Sequence, residues 1–218
     1  MNIQYYGDYC FKISTKPAGR ATEDVILWTD PLQKGSGLRS PQGQVDLIFL
    51  SHQNEEMKGF ARESTLIFDA PGEYAAKGVS VFGFPGYRDE VDGKKHGQNV
   101  IYAFESEDIH VCYLGALGHV VSPELLDKLN GTDILFIPVG GTDTLNAKLA
   151  ADMARKIEPN IIIPMHYAIA GLTVPLETEK AFCNEMGNCP RQAVSKLNIK
   201  KKDMENKKME VILLERGN

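Results

Sequence analysis

Short apolar runs separated by glycine- and proline-bearing turns fill the first half of the chain. Ile3 to Tyr6 and Cys10 to Ser14 flank Gly7-Asp8, a hairpin-type turn signal. Val25 to Thr29 follows and stops at Asp30-Pro31, where the proline cannot continue a ladder. Gly35, Gly37, Pro41 and Gly43 mark a tightly turned loop before the apolar run Leu47 to Leu50. Further strands are predicted at Thr65 to Phe68, Val79 to Phe82, Asn99 to Phe104 and His110 to Leu114. Pro71-Gly72, Gly78 and Pro85-Gly86 separate several of these runs.

The period changes in the second half. Ser122 is a plausible N-cap with Pro123 at the first helical position, and Leu125, Leu126 and Leu129 supply an apolar face. Asp133 to Pro138 is a continuous apolar strand. Leu145, Leu149, Met153 and Ile157 recur at helical spacing, so Asn146 to Glu158 is read as a helix that Pro159 stops. Ile161 to Met165 is the next buried strand, a third helix is predicted over Leu176 to Met186, and Met209 to Leu214 closes the chain as a strand. Periodicity alone supports an α/β or α+β protein and nothing finer.

The 218 residues suit one domain spanning 1–218, with 43% apolar and 24% charged residues as in an ordinary globular protein. A net charge of -5 argues against a general attraction to nucleic acid or anionic membrane. No window approaches the roughly 18 apolar residues of a membrane span. The N-terminus lacks the basic and apolar regions of a signal peptide, so a cytoplasmic location is expected. Cys10 and Cys112 sit in apolar runs. Cys183 and Cys189 are close enough in sequence to bridge, but a reducing compartment predicts free thiols. Lys200-Lys201-Lys202 and Lys207-Lys208 read as a solvated turn.

Candidate chemistry concentrates where two buried strands end. Leu47-Ile48-Phe49-Leu50-Ser51 runs straight into His52-Gln53-Asn54-Glu55-Glu56-Met57, and Ile161-Ile162-Ile163-Pro164-Met165 runs into His166-Tyr167. Side chains at such strand ends leave the core on a rigid support. No Gly-x-Ser-x-Gly elbow, phosphate-binding Walker loop or dinucleotide fingerprint is present.

These cassettes resemble the metallo-β-lactamase-fold hydrolases, whose first loop reads His-x-His-x-Asp-His. The chain is also similar, in family order, to a bacterial and archaeal branch of ascorbate-6-phosphate lactonase-like and other proposed metal-dependent hydrolases. Tyr6-Gly7-Asp8-Tyr9-Cys10-Phe11 resembles that branch's Gly-His-Ser-Cys-Phe opening, with Asp8 in place of histidine. Thr29-Asp30-Pro31, Ala70-Pro71-Gly72-Glu73-Tyr74, Ile137-Pro138-Val139-Gly140-Gly141 and Ile163-Pro164-Met165-His166-Tyr167 resemble further landmarks. Leu114-Gly115-Ala116-Leu117-Gly118-His119 is similar to Leu-Gly-Asp-Leu-Gly-His without the aspartate. The resemblance implies a four-layered αββα sandwich and a hydrolase ancestry with two divalent ions.

The departures fall on the implied ligands. Asn54, Glu56 and Met57 stand where the first loop has His, Asp and His, Arg88 where a further histidine stands, and Ala116 where the bridging aspartate stands. A zinc or manganese site needs roughly three to four donors from thiolate, imidazole or carboxylate. The expectation is therefore a largely lost dinuclear site, no metal cofactor, and a protein silent in the family's chemistry that binds a ligand or a partner. The alternative is a hydrolase using no metal or one Zn or Mn ion on His52, Glu56 and His166, with Glu56 and His166 as catalytic candidates. Arg88, Asn54 and Asp30 are candidates for binding a small anionic molecule, with an Arg88–Glu56 ion pair as the equal alternative for Arg88. His52 and His166 are otherwise read as strand-end histidines bonded to neighbours such as Glu56 or Asp30. His119 is given a structural role, and His96 and His110 are read as exposed. Gly140-Gly141 before Thr142-Asp143-Thr144 is weak as an anion site and reads as a tight turn. The partner anticipated, if any, is another copy of the chain.

Overall fold

Burial alternates along the first two strands, β1 (Asn2–Gly7) and β2 (Cys10–Thr15), as a half-buried ladder requires. The computed structural model describes residues 1–17 and 23–217. With β3 (Val25–Thr29), β4 (Leu47–Phe49), β5 (Leu66–Phe68) and β12 (Leu197–Asn198), these strands form a six-stranded sheet in the order β12-β1-β2-β3-β4-β5. The second sheet has seven strands in the order β13-β11-β10-β9-β8-β7-β6. Its members are β6 (Gly72–Ala76), β7 (Val79–Tyr87), β8 (Gln98–Ser106), β9 (Ile109–Tyr113), β10 (Ile134–Pro138), β11 (Ile161–Met165) and β13 (Glu210–Val211).

Each sheet is parallel at one end and antiparallel at the other: β3-β4-β5 are parallel in one, β9-β10-β11-β13 in the other. Every residue of β10 and β11 is buried, the signature of strands covered on both faces. The sheets meet through aromatic rings. Phe11 packs on Phe136 with ring centres 4.6 Å apart, and Phe49 stacks on Tyr102 at 4.8 Å. The outer layers are helical. α1 (Glu55–Lys58) buries Met57 against Trp28, Val45, Ile48 and Leu50 on the six-stranded sheet. α2 (Pro123–Leu129), α3 (Ala147–Ile157) and α4 (Glu179–Met186) cover the seven-stranded sheet, α3 through a stripe of Ala150, Met153, Ala154 and Ile157. The αββα sandwich is thus the observed architecture. Among the described residues no helix is long and apolar enough to cross a membrane.

Several local expectations are corrected. β7 does not stop at Phe82 but runs through Pro85-Gly86 to Tyr87. β6 pairs with β7 only as far as Gly83, so Pro85 lies where that edge is unpaired and its missing N–H costs no ladder bond. The third helix begins at Glu179 rather than Leu176. The Glu177 N–H is bonded to the Gly140 carbonyl and its own carbonyl to the Ala168 N–H, which holds this stretch out of helical geometry. The last run narrows to the two-residue β13, followed by single bridges at Leu214 and Arg216. Cys183 and Cys189, expected as free thiols, form a disulfide. Gly187 ends α4 at φ 75° and turns the chain back, bringing the two Cα atoms to 5.2 Å. Cys10 and Cys112 are free and buried.

Candidate functional site

The parallel strands of both sheets release the chain at one end of the sandwich, where a cavity of about 440 Å3 opens. Asp8 comes from the β1–β2 turn, Asp30 follows β3, and His52 follows β4. Arg88 follows β7, Asp143 lies between β10 and α3, and His166 follows β11; all six line the cavity. Three of them hold left-handed backbone, with φ of 55° at Asp8, 32° at Asp30 and 50° at His166. Such a conformation costs a non-glycine residue about 1 kcal/mol, so the surrounding contacts must enforce it. One of these contacts is visible at Gly140, where a Cβ would stand 2.2 Å from the His166 carbonyl oxygen. Gly140 therefore serves close packing against His166, whereas Gly141 turns the chain at φ 71° with nothing within 4 Å of an added Cβ.

Four charged side chains form an alternating row. His166 Nδ1 donates to Asp8 Oδ1 at 2.5 Å, and the His166 N–H donates to the Asp8 carbonyl at 2.8 Å. His166 Nε2 lies 3.6 Å from Asp143 Oδ1, an ion-pair distance but not a hydrogen bond. The other Asp143 oxygen accepts from Arg88. Burial works to lower the His166 pKa, but the Asp143 and Asp8 carboxylates outweigh it and raise it, so the imidazolium is favoured. Burial works to raise the Asp143 pKa, yet His166 and the Arg88 guanidinium hold it well below the usual carboxylate range. Tyr9 stacks on His166, with ring centres 4.2 Å apart and planes 12° from parallel.

The second histidine is set differently. Burial lowers the His52 pKa and Arg88 adds to the effect, which together outweigh Asp30, so the neutral ring is favoured. His52 Nδ1 sits 3.0 Å from Ser51 Oγ and 3.9 Å from Asp30 Oδ1. Asp30 is fully enclosed, and burial raises its pKa despite hydrogen bonds from the Ser51 N–H, the Ser51 hydroxyl and the Tyr113 hydroxyl.

Of the residues singled out from sequence, His52, His166, Arg88, Asn54 and Asp30 line the cavity. Glu56 does not; it is exposed and accepts the Lys34 N–H at 2.8 Å. The Arg88–Glu56 ion pair is therefore replaced by Arg88–Asp143, because α1 turns Glu56 outward. Asn54 caps α1, accepting from the Glu56 and Met57 N–H groups. The expected hydrogen-bond partners of the histidines are corrected: His52 bonds to Ser51, with Asp30 3.9 Å away, and His166 bonds to Asp8. His119 accepts the Tyr87 N–H through Nε2, so its Nδ1–H donates to the Val120 carbonyl and the ring fixes the end of β7. His96 and His110 are exposed. Sequence reasoning missed Asp8 and Asp143 as partners. The one available signal was Asp8, a carboxylate where the resembling branch carries a histidine.

The resemblance implies a pair of cations, and the donor chemistry tests that. Asp8 and His166 are bonded to each other, Asp143 is paired to a guanidinium, and Asp30 is consumed by Ser51 and Tyr113. Ala116 is buried and offers no donor, and the Met57 thioether is a poor one for hard or borderline ions. Among the described residues no three His, Cys, Asp or Glu side chains are disposed to hold a metal ion. As arranged, this donor set does not fit a pair of divalent cations.

Residues 2–166 match the Beta-lactamase superfamily domain. A metal-dependent hydrolase of Listeria monocytogenes is 26% identical over 201 residues, covering 77% of this chain and 85% of that protein. One of Staphylothermus marinus is 26% identical over 194 residues, covering 76% and 82%. A crystal structure from Thermotoga maritima, described as a proposed Zn-dependent hydrolase of the metallo-beta-lactamase superfamily, superimposes with a TM-score of 0.76. It is 27% identical, with 98% of this chain and 97% of that one covered. By sequence, by fold and by the strand-end placement of its site residues, this chain belongs to the metallo-β-lactamase-fold family of metal-dependent hydrolases.

Proposed function

We propose that this chain is a family member in which protein-borne charges have taken over from the metal pair. It is silent toward the family's usual esters, lactones or phosphoesters, and the cavity binds a small anionic molecule instead. One observation supports this reading above the others: the row Asp8–His166–Asp143–Arg88 supplies an imidazolium and a guanidinium among carboxylates that would otherwise repel one another. Two divalent ions would do the same for a ligand set of this kind. Arginine is permanently charged and well shaped for a carboxylate, so its presence works against a cation at the same place. Elemental analysis of protein purified without chelator tests the proposal. Metal well below one equivalent is expected; near-stoichiometric zinc, manganese, nickel or iron overturns it.

A second reading rests on His52, whose neutral ring is oriented by Ser51 and could serve as a base without any ion. It requires ester or phosphoester hydrolysis by metal-free protein that is lost in His166→Ala and retained in Cys112→Ala.

A further inference from the structure

The outer face of the seven-stranded sheet is covered at β10, where every residue is buried, but not at β7. Residues opposite one another on neighbouring strands share a face. Glu73, Phe82, Ala103 and Cys112 therefore form one outward row across β6 to β9, and Ala75, Ser80, Glu105 and His110 form the next. Phe104 points the other way, to Phe49 of the second sheet. Along the first row Cys112 is fully buried, Ala103 is half-buried, and Phe82 is 44% exposed. The helical cover thus ends above β8 and leaves a large aromatic ring in water.

The two flanks of Phe82 differ. On the β8 side, the end of α2 forms a wall, and Lys128, Asn130, Ala103 and Glu105 enclose with Phe82 a groove of about 200 Å3. Lys128 Nζ stands 5.6 Å from the centre of the Phe84 ring; the residue is exposed and has no ion-pair partner among the described residues. On the β6 side, Glu73 projects from the sheet, exposed and equally without an ion-pair partner among the described residues. A projecting anion lies one strand from β7 on one flank, and a groove with a cation lies one strand from it on the other.

We propose that this face is where a second copy of the chain docks, in a homodimer whose two-fold axis runs along β7. That rotation lays each β6 over the partner's β8 and brings the two Phe82 rings together on the axis. It also sets each Glu73 into the opposite groove beside the partner's Lys128, so the same ion pair forms twice. The distances agree, since β6 and β8 both stand about 4.8 Å from β7. Glu105, the other carboxylate on this face, falls over the partner's Ala75 and meets no like charge. A projection and a socket not related by such an axis would build an open chain of subunits; here the contact closes at two. The groove shares no lining residue with the cavity at the strand ends, so that cavity stays open in the dimer.

Sedimentation velocity of the full chain across the micromolar range tests the assignment. A concentration-dependent equilibrium between monomer and dimer is expected. Phe82→Lys, a change at an exposed position, should weaken the dimer roughly a hundredfold, because it sets two ammonium groups against each other at the axis. Glu73→Lys and Lys128→Glu should each weaken it roughly tenfold, and the two together should restore it to within about threefold of the unmodified protein. The restoration cannot come from damage to the fold, and it distinguishes this face from any other self-contact. Protein that stays monomeric over the whole range overturns the proposal and leaves the face to a different occupant. A dimer indifferent to Phe82→Lys, or charge reversals that fail to compensate, overturns it as well.

Discussion

His166, flanked by two carboxylates, gives stability a definite direction with pH. Its folded pKa lies above the ordinary value of about 6.5, so its contribution is complete below that value and fades as pH rises through the folded one. Asp143 governs the opposite limb. Its folded pKa lies below the ordinary value of about 3.9, so its contribution is complete above that and is lost as pH falls through the folded value. Asp8→Asn removes one flanking charge, and the alkaline fade is expected to move to lower pH in urea midpoints measured across the neutral and alkaline range. An alkaline limb identical to that of the unmodified protein would count against the pairing. Arg88→Met strands a mostly buried Asp143 and is expected to cost about 2 kcal/mol; adding Asp143→Asn should cost less than the sum of the two single changes. The histidines and Arg88 were visible in sequence because each sits at a strand end or departs from a resembling pattern. Their partners were not. Asp8 and His166 are 158 positions apart, and no local periodicity encodes a side-chain pair closed across two sheets.

At the scale of elements, propensity and turn chemistry located most strands and α3 to within a residue or two, since Asn146 and Pro159 bracket a clear apolar stripe. What escaped was decided by neighbours: β6 pairs along an edge, and α1 is a single turn whose acidic residues carry no apolar period. The loops that present the site depend on close approaches that also lack a local signal. Gly140→Ala should be among the costlier single changes, roughly 2–3 kcal/mol, because the new Cβ would stand 2.2 Å from a backbone oxygen that cannot rotate away. Gly131→Ala is its control. That glycine, unlike Gly140, has positive φ, 81°, and nothing lies within 4 Å, so only the conformational cost of about 1 kcal/mol is expected. Equal losses in chemical denaturation would show that the close approach to the His166 carbonyl costs no more than a strained but uncrowded turn. The 89–97 loop has a similar single anchor. The Asp89 carboxylate accepts the N–H groups of Val91, Gly93, Lys95 and His96, which outweigh its partial burial and draw its pKa down to about 2. Asp89→Ala should therefore speed amide exchange throughout this loop, beside Arg88.

Across the whole molecule, tyrosine hydroxyls tie the sheets together at the cavity end in addition to the apolar core. Tyr102 of β8 reaches the Leu50 and Phe68 carbonyls at 2.9 and 2.7 Å. Tyr113 of β9 reaches the Tyr9 carbonyl at 3.0 Å and Asp30 Oδ2 at 2.5 Å. All four acceptors belong to the six-stranded side, and both donors to the other sheet. A sandwich closed by buried cross-sheet bonds should unfold as one unit, since opening the seam orphans polar atoms in both layers. The chain offers a direct test. Trp28, its one tryptophan, lies in β3 and packs under α1, so its fluorescence reports the six-stranded sheet, while far-UV circular dichroism reports both sheets and the helices. The two transitions in guanidinium are expected to coincide. Tyr102→Phe should shift both together by the equivalent of about 1–2 kcal/mol, the worth of the lost hydroxyl contact. If Trp28 instead melts ahead of the circular dichroism signal, the sheets are separable units, and the Asp8–His166 pair spanning them would be a contact made late in folding.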